Sequence, residues 1–283
     1  MTRSIIELSP GSQARHWTLQ VPPSLCAGSA ERPFLFGGSG MAVCIAAMEA
    51  AERRPPTWVT AQYLAYALPH EDLTIEVAEA ARGRNTVQLL ATARVGDRAI
   101  VTAQAAAGER PGQIHRQLVT ALTAPPPQDC PQVAHGGGNP AGVNRQFEFR
   151  LVHGRFPTFG AAFGPPGDGR LAFWIRPHEA VRLDACLLAI VADFVSDALN
   201  DAAGQRVHAS SIDNTLRFGP IEDSDWLLCE ITVEMLHGGV GHGSMRIYSQ
   251  GGLLMALAST SLILRTPRAP DGAANPTHQE TPE

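Results

Sequence analysis

The sequence repeats one pattern of elements twice, and this repeat limits the folds open to the 283-residue chain. In the first half a long apolar helix comes before most of the strand-like segments, and in the second half such a helix lies between strand-like segments. Residues 59–66 align with residues 211–218 at an offset of 152, which is 211 less 59. Because other segments align at offsets that differ by only a few residues, the pattern indicates duplication of a helix-plus-sheet unit rather than a short solenoid repeat. We therefore expect two copies that form a pseudo-dimer.

Composition suggests where the two copies begin and end. A Pro/Gly-rich stretch that includes three consecutive prolines from Pro125 reads as a linker. The predicted boundaries are an N-terminal unit at 1–122, a linker at 123–145 and a C-terminal unit at 146–266. The polar, proline-rich residues 267–283 predict a disordered tail.

Asp193 lies in the most apolar part of the second copy. Nearly every residue from 186 to 199 is apolar, which predicts one helix surrounded by other structure with Asp193 at its middle. A bare carboxylate there would cost several kcal/mol, so it must be paired, hydrogen-bonded or shifted in pKa. Asp193 is therefore the first candidate for chemistry.

The repeat also supplies an internal control for this residue. Three polar residues of the second copy align with apolar residues of the first: Asp193 with Ala47, Ser211 with Val59 and Thr260 with Ala105. Generic surface positions would be polar in both copies, so the alignment predicts one site in the pair of units. A structural role stays open for each residue: an ion pair or cap for Asp193, a local turn hydrogen bond for Ser211 and an ordinary strand position for Thr260.

Charge and composition argue against several other classes. A net charge of −5 gives no basic field, and the nearest basic cluster reads as a solvated face, so we expect no nucleic-acid partner. No apolar run reaches the ~20 residues of a membrane span and the N-terminus lacks a signal-peptide core, so we expect no membrane partner. Five cysteines without C-x-x-C spacing favour a reducing, cytoplasmic location. His237 and His242 lack a third ligand, so no metal is expected.

A glycine-rich segment, Gly37-Gly38-Ser39-Gly40, precedes the first apolar helix and reads as a loop that opens it. Free amides at a helix N-terminus attract anions, so a phosphate cradle is one interpretation. The spacing matches neither a P-loop nor a dinucleotide fingerprint, which favours close backbone packing.

Taken in order, several short motifs resemble the type II (TesB-like) acyl-CoA thioesterases. They are Phe36-Gly37-Gly38, Gln62-Tyr63-Leu64, Ala192-Asp193-Phe194, Ser211-Ile212-Asp213-Asn214 and Ala258-Ser259-Thr260. The resemblance covers nearly the whole chain outside the linker and tail. It implies an α+β double hotdog fold, in which two antiparallel sheets each wrap a long central helix. It also implies hydrolysis of acyl-CoA or another acyl thioester in fatty acid metabolism, no cofactor, and a homodimer or homotetramer.

The resemblance further implies roles for individual residues. In the family an Asp, a Thr and a Gln hold the hydrolytic water, and these positions fall on Asp193, Ser211 and Thr260. Thr260 departs from the pattern because its side chain is shorter than an amide. Gln62, Gln104 or Asn214 could supply that amide, and we expect Gln62 and Asn214 to bind substrate. Amides at Gly37, Gly38 and Ser39 are expected to face the thioester carbonyl.

Three functional classes stay open at this point. The first is hydrolysis of acyl thioesters by a water that a carboxylate activates, which needs neither metal nor covalent intermediate. The second is a non-hydrolytic hotdog enzyme that dehydrates or isomerises an acyl or natural-product substrate. The third is a non-catalytic acyl-binding protein.

Overall fold

A computed structural model describes residues 2–109, 112–133, 138–156 and 164–266. Within them the helices are α1 (Gly37–Glu52), α2 (Ala185–Ala192) and α3 (Leu199–Ala203). Short 3-10 segments are Pro23–Leu25, Pro127–Asp129, Val143–Gln146 and Asp193–Ala198. The strands are β1 (Ser9–Pro10), β2 (His16–Gln20), β3 (Cys26–Gly28), β4 (Pro33–Leu35), β5 (Pro56–Tyr63), β6 (Asp72–Arg82), β7 (Val87–Val95), β8 (Arg98–Ala107), β9 (Gln132–Val133), β10 (Phe147–His153), β11 (Arg170–Pro177), β12 (His208–Phe218), β13 (Leu227–His237), β14 (Val240–Ser249) and β15 (Leu254–Arg265).

Thirteen of the described strands form one antiparallel sheet whose order is nearly palindromic. The order is β1-β2-β6-β7-β8-β5-β12-β15-β14-β13-β11-β10-β9. The halves meet where β5 pairs with β12, and Thr60 and Thr215 face each other there with their hydroxyl oxygens 2.8 Å apart. On either side of this pair, β8, β7 and β6 correspond to β15, β14 and β13. The strand order therefore supports the predicted repeat of one unit.

Matching bulges give the structural alignment of the two copies. The β5–β8 register shifts between Pro56 and Trp58, and the β12–β15 register shifts between Ser211 and Asp213. Pro56 pairs with Ala107 and Ser211 pairs with Leu262, so one offset of 155 (211 less 56, and 262 less 107) relates both strands of each pair.

This offset corrects part of the alignment drawn from the sequence. Thr260 still corresponds to Ala105, but Val59 corresponds to Asn214, and Ser211 corresponds to Pro56. The directly paired residues Val59 and Ala105 are thus the counterparts of Asn214 and Thr260, which also pair directly. The sequence-based offset of 152 was wrong by three residues in β12 because short alternating segments match equally well when they slip.

The two long helices lie antiparallel inside the sheet and share one apolar core. All eight residues of α2 are buried, and so is most of α1 from Gly38 to Met48. Gly38 approaches Ala189 and Ile190, and the Cys186 thiol donates to the Ala42 carbonyl at 3.5 Å. The start of α1 therefore lies against the end of α2.

The helix predicted over residues 186–199 is interrupted at its most polar residue. α2 ends at Ala192, and Asp193 begins a 3-10 segment that leads to α3. The Asp193 amide donates to the Ile190 and Val191 carbonyls, which tightens the turn. Asp193 thus lies at a helix end rather than at mid-helix. Gly37 and Gly38 lie inside α1, so the expected opening loop is already the first helical turn.

The segment expected to be a linker carries some regular structure in its described part. β9 pairs with β10, and two 3-10 turns flank it. Residues 134–137 of that segment and the tail at 267–283 lie outside the described residues. No helix among the described residues is long and apolar enough to cross a bilayer.

Candidate active site

Asp193 lies at the crossing of α1 and α2, and one group from α1 and one from β12 donate hydrogen bonds to its carboxylate. Its exposed fraction is 2%. Oδ2 accepts a hydrogen bond from the Gly38 amide at 2.8 Å, and Oδ1 accepts one from the Ser211 hydroxyl at 3.2 Å. Because Gly38 is at the first turn of α1, its amide has no acceptor within the helix and is free for the carboxylate. Among the described residues no ion pair involves Asp193, so an anion here is held by neutral donors.

The competing forces on this carboxylate set its protonation near neutral pH. Burial raises the pKa of Asp193 to about 6, against the opposing effects of Gly38, Ser211 and Asn214, in that order. Desolvation favours the neutral acid and the donors favour the anion. A carboxylate with a pKa in this range is both basic and largely ionised at pH 7, as a general base must be.

The bulge in β12 explains how one strand turns two polar side chains toward Asp193. Without it, Ser211 and Asn214 would point to opposite faces, because they are three residues apart. The extra residue at Ile212 shifts the alternation, so that Ser211 bonds the carboxylate and Asn214 is fully buried on the same inner side. Bulges often direct side chains beside active sites in this way.

Asp193 and Ser211 line a cavity of about 370 Å³ that opens to the protein surface. Its walls come from both halves of the chain and are largely apolar or aromatic: Phe34, Phe36, Tyr63, Leu64, Tyr66, Ile100, Phe194 and Ile263 are examples. Arg265 stands at the cavity and donates to the Ser210 hydroxyl at 3.2 Å. An apolar pocket of this size with a few polar groups is typical of a small-molecule site.

Two glycines make the close approach of α1 to Asp193 possible. A Cβ on Gly37 would lie 2.6 Å from Asp193 Oδ2, and one on Gly38 would lie 2.7 Å from the Ala189 carbonyl oxygen. Such distances are far below van der Waals contact, so any larger residue would push the helices apart. The prediction of close packing for this segment therefore agrees with the structure.

Tyr63 is a site residue that the sequence analysis missed. It lines the cavity, its hydroxyl oxygen is buried without a hydrogen-bond partner in the described part of the chain, and it lies against Gly37. Burial, and then the charge of Asp193, raise the pKa of Tyr63 well above its usual value. The hydroxyl is therefore neutral and available as a donor.

The expected substrate-binding residue Gln62 is placed elsewhere. It is exposed on the outer face of the sheet, and its Oε1 accepts from the Thr102 hydroxyl at 3.2 Å. Strand alternation puts Val59, Ala61 and Tyr63 inward, so the parity of β5 was the signal that could have selected Tyr63 over its neighbour.

Thr260 is not brought to the carboxylate either. Its hydroxyl donates to the Asp213 backbone carbonyl at 2.6 Å, and the residue is buried beside Asn214. The residue paired with Ser211 on β15 is Leu262, which is apolar and buried. Ser39 is likewise buried, its hydroxyl has no hydrogen-bond partner within the described ranges, and it is not among the cavity-lining residues.

A second carboxylate lines the same cavity. Asp197 follows Asp193 by four residues in the 3-10 segment. Burial, and then the charge of Asp193, raise the pKa of Asp197 to about 7. Among the described residues, no group of three or more His, Cys, Asp or Glu is arranged to hold a metal ion. His242 instead contacts the Ser261 hydroxyl at 3.1 Å.

Two family profiles match the chain in consecutive blocks. The acyl-CoA thioesterase N-terminal domain matches residues 28–108, and the acyl-CoA thioesterase C-terminal domain matches residues 127–264. Together they span most of the chain and divide it where the repeat does. The chain belongs to the acyl-CoA thioesterase family. As a member, it is classed with the hydrolases.

Solved structures of thioesterases share the fold over almost their whole length. A protein from Novosphingobium aromaticivorans assigned as a thioesterase is 26% identical, with a TM-score of 0.82 over 92% of this chain and 98% of that chain. A TesB protein from Mycobacterium avium subs. paratuberculosis is 19% identical, with a TM-score of 0.76 over 92% and 96%. The acyl-CoA thioesterase II TesB2 from Mycobacterium marinum is 20% identical, with a TM-score of 0.72 over 92% and 96%.

Hotdog dehydratases resemble this thioesterase family member less. The dehydratase domain of the curacin polyketide synthase CurJ module has a TM-score of 0.58 at 11% identity, over 93% of this chain and 98% of that chain. Among curated proteins none matches the sequence significantly. The fold assignment to the hotdog type thus rests on the family profiles and on the thioesterase structures.

Proposed function

We propose that the protein hydrolyses acyl-CoA thioesters with a water molecule that Asp193 activates. The observation that carries the proposal is a buried carboxylate at a cavity wall, held by two neutral donors and with a pKa of about 6. Such a group accepts a proton near neutral pH without a metal or a covalent intermediate. The family membership supplies the substrate class, and the geometry supplies the base.

The reaction transfers one proton from water to Asp193 and then from Asp193 to the departing thiolate. Water attacks the thioester carbonyl carbon while its proton passes to Asp193, which leaves a tetrahedral oxyanion. The oxyanion then collapses, the C–S bond breaks, and the departing thiolate takes the proton from Asp193. The products are the free acid and the free thiol, and Asp193 is again ionised. In this scheme Ser211 and Gly38 hold the carboxylate in place for both transfers.

Donors for the oxyanion come from the other half of the chain. The Gly37 amide belongs to the first turn of α1, where amides lack acceptors within the helix, and Gly37 lines the cavity. The Tyr63 hydroxyl lies beside it, neutral and without a hydrogen-bond partner in the part of the chain that the structure describes. Two fixed donors at a developing negative charge are the arrangement that acyl transfer requires. The N-terminal copy thus stabilises charge, and the C-terminal copy supplies the base.

Release of thiol from a panel of acyl-CoAs tests this function directly. The free thiol is read with a thiol reagent, and acyl groups of increasing length reveal which chains the cavity accepts. We expect turnover of at least one acyl-CoA, with a rate proportional to enzyme concentration.

Two other outcomes would contradict hydrolysis. A hydrated or isomerised acyl-CoA that keeps its thioester would indicate the non-hydrolytic hotdog enzyme. Binding of acyl-CoA without any product would indicate an acyl-binding protein. Mass spectrometry of the reaction mixture separates these outcomes from thiol release.

We also propose that the two halves are two hotdog units in one chain and that the protein self-associates. The palindromic strand order and the two consecutive family domains support the double hotdog. Large apolar side chains left exposed on the sheet, such as Leu90, Met235 and Leu257, favour a homodimer or homotetramer. Light scattering at the mass of one 30.1 kDa chain would contradict self-association.

Five free, buried cysteines support a reducing compartment such as the cytoplasm.

A further inference from the structure

Asn214 is a fully buried amide without a protein hydrogen bond in the described part of the chain. Its exposed fraction is 0%, and neither Oδ1 nor Nδ2 has a hydrogen-bond partner among the described residues. Leaving buried polar atoms unpaired is unfavourable, because they give up hydrogen bonds to water without replacing them. An amide in such a position calls for a reason other than packing.

The duplicated unit shows that packing does not require an amide at this position. The matching bulges assign Val59 as the counterpart of Asn214, and Val59 is also fully buried. The strand pairs agree, because Val59 lies opposite Ala105 and Asn214 lies opposite Thr260. The same architecture therefore accepts an aliphatic side chain, and the chain departs from it in the copy that holds Asp193.

The position of Asn214 directs it toward that carboxylate. It shares the inner face of β12 with Ser211, whose hydroxyl bonds Asp193 Oδ1. The amide is also one of the three groups that lower the Asp193 pKa, although it falls short of hydrogen-bond geometry. The amide dipole therefore acts on the carboxylate from the sheet side, opposite the Gly38 amide on α1.

We propose that Asn214 is a positioning residue for Asp193, its side-chain amide holding the neighbouring carboxylate in the ionised form that takes a proton from water. The inference rests on the proposed hydrolysis. Of the other titratable groups near Asp193 or Tyr63, the carboxyl groups of Asp197 on the same segment and Asp213 on β12 disfavour further negative charge. Tyr63 on β5 and Cys44 on α1 are neutral and supply no positive charge. Neutral donors must therefore stabilise the ionised Asp193 carboxylate. The Asn214 amide is such a donor, and it lies on the sheet beside Ser211.

The test replaces Asn214 with the residue of the other copy. Asn214→Val removes the amide. Asn214→Thr introduces a side chain that has nearly the shape of valine but keeps a hydroxyl donor. We expect the acid limb of kcat for acyl-CoA hydrolysis to move up by roughly one pH unit in the valine variant, so that kcat falls about tenfold below pH 6 and changes little at pH 8. KM should stay within a factor of about two, and the threonine variant should restore part of the shift.

Two further measurements separate this role from a structural one. In an Asp193→Asn background, Asn214→Val should cause no additional loss of turnover, whereas an independent structural effect would multiply with it. The reciprocal Val59→Asn variant should lower Tm and leave the pH profile unchanged, because Val59 lies in the copy that does not hold Asp193. An unchanged acid limb in Asn214→Val, or a loss of equal size at every pH, would overturn the proposal.

A readout without activity keeps this inference distinct from the proposed function. The Asp193 carboxyl carbon is titrated by ¹³C NMR and assigned by its absence in Asp193→Asn. A higher titration midpoint in Asn214→Val would support the positioning role even if the wild-type protein released no thiol. Identical midpoints in the wild-type and Asn214→Val proteins would refute it even if hydrolysis were established.

Discussion

At the residue scale, the proposed role of Asp193 as the base predicts how activity depends on pH. The base must be ionised to accept a proton, and its pKa is about 6 because burial outweighs three neutral donors. We expect kcat for thioester hydrolysis to fall as the pH drops through about 6 and to level off above about 7. A rate profile over pH 4.5–8.5 with a saturating acyl-CoA measures this. An acid limb centred near pH 4, where an exposed Asp titrates, would contradict the buried base.

Ser211 gives a second prediction at the same scale. Ser211→Ala removes one hydrogen bond to the carboxylate, so the Asp193 pKa should rise and kcat at pH 6 should fall by about tenfold, in keeping with a hydrogen bond to a charged group. Ser211→Thr keeps the hydroxyl and should retain most activity. Ser259→Ala, on an exposed position of β15, is the matched control and should behave like wild type. Equal rates for the alanine and wild-type proteins would remove Ser211 from the site.

The site residues show which side chains a sequence can and cannot identify. The burial and hydrogen bonding of the Asp193 carboxylate were predictable, because a carboxylate in an apolar run needs such partners. Tyr63 was within reach, since strand alternation separates it from Gln62. The strand partners of Thr260 and Leu262 could not be predicted. The bulged residue Ile212 determines which residues of β12 pair with them, and a bulge leaves no periodic signal in a sequence.

At the element scale, the crossing of α1 and α2 depends on Gly38. In Gly38→Ala the new Cβ would lie 2.7 Å from the Ala189 carbonyl oxygen and 2.9 Å from Asp193 Cβ, so the helices must separate. We expect the free energy of unfolding to fall by about 1–3 kcal/mol. We also expect kcat to fall, because the Asp193 carboxylate is displaced from its position beside the Gly38 amide. Gly112→Ala, where a Cβ meets nothing within 4 Å, is the control. Denaturant unfolding that finds both variants equally stable would contradict the packing role of Gly38.

The elements themselves were largely predictable, and the exceptions have physical causes. The presence of strand-like segments in both copies was predictable, because one face of each strand is apolar and the period of two is clear. The break after Ala192 was not foreseen, since hydrophobicity alone cannot distinguish a continuous helix from an α-to-3-10 junction. The helical state of Gly37 and Gly38 was missed because isolated glycines favour loops, and tertiary contact overrides that preference.

At the scale of the whole molecule, the two copies carry different side chains at equivalent positions of the sheet. The structural offset places Pro56, Val59 and Ala105 where the second copy has Ser211, Asn214 and Thr260. Polar residues of the second copy thus occupy positions that apolar residues occupy in the first. The repeat was evident in the sequence, but the correct offset required the paired bulges.

The asymmetry predicts the result of placing a carboxylate in the first copy. Ala47 is fully buried on α1, so Ala47→Asp would bury an unpaired charge and should cost several kcal/mol of stability without adding activity. Ala80→Asp, on an exposed position of β6, is the control and should unfold like wild type. Thermal unfolding and thiol release are measured on both. An active, stable Ala47→Asp protein would show that the first copy retains a latent site.

The central claim is that Asp193 is the base, and the Asp193→Asn variant tests it most directly. The asparagine keeps the size of the side chain but cannot take a proton, so we expect kcat for acyl-CoA hydrolysis at pH 8 to fall by ~100-fold or more with little change in KM. Stability should not fall. The folded-state pKa of about 6 exceeds the unfolded value of 3.8, so the stability that protonated Asp193 contributes below pH 3.8 is lost as the pH rises through 6.

At pH 8 the ionised wild-type residue therefore costs on the order of 3 kcal/mol, and Asp193→Asn should have an equal or higher Tm. The decisive measurement is thiol release and thermal unfolding of the two proteins side by side at pH 8. We expect an Asp193→Asn protein that is folded, at least as stable as wild type and nearly inactive. A variant that hydrolyses acyl-CoA at the wild-type rate, or one whose lost activity only follows lost folding, would contradict it.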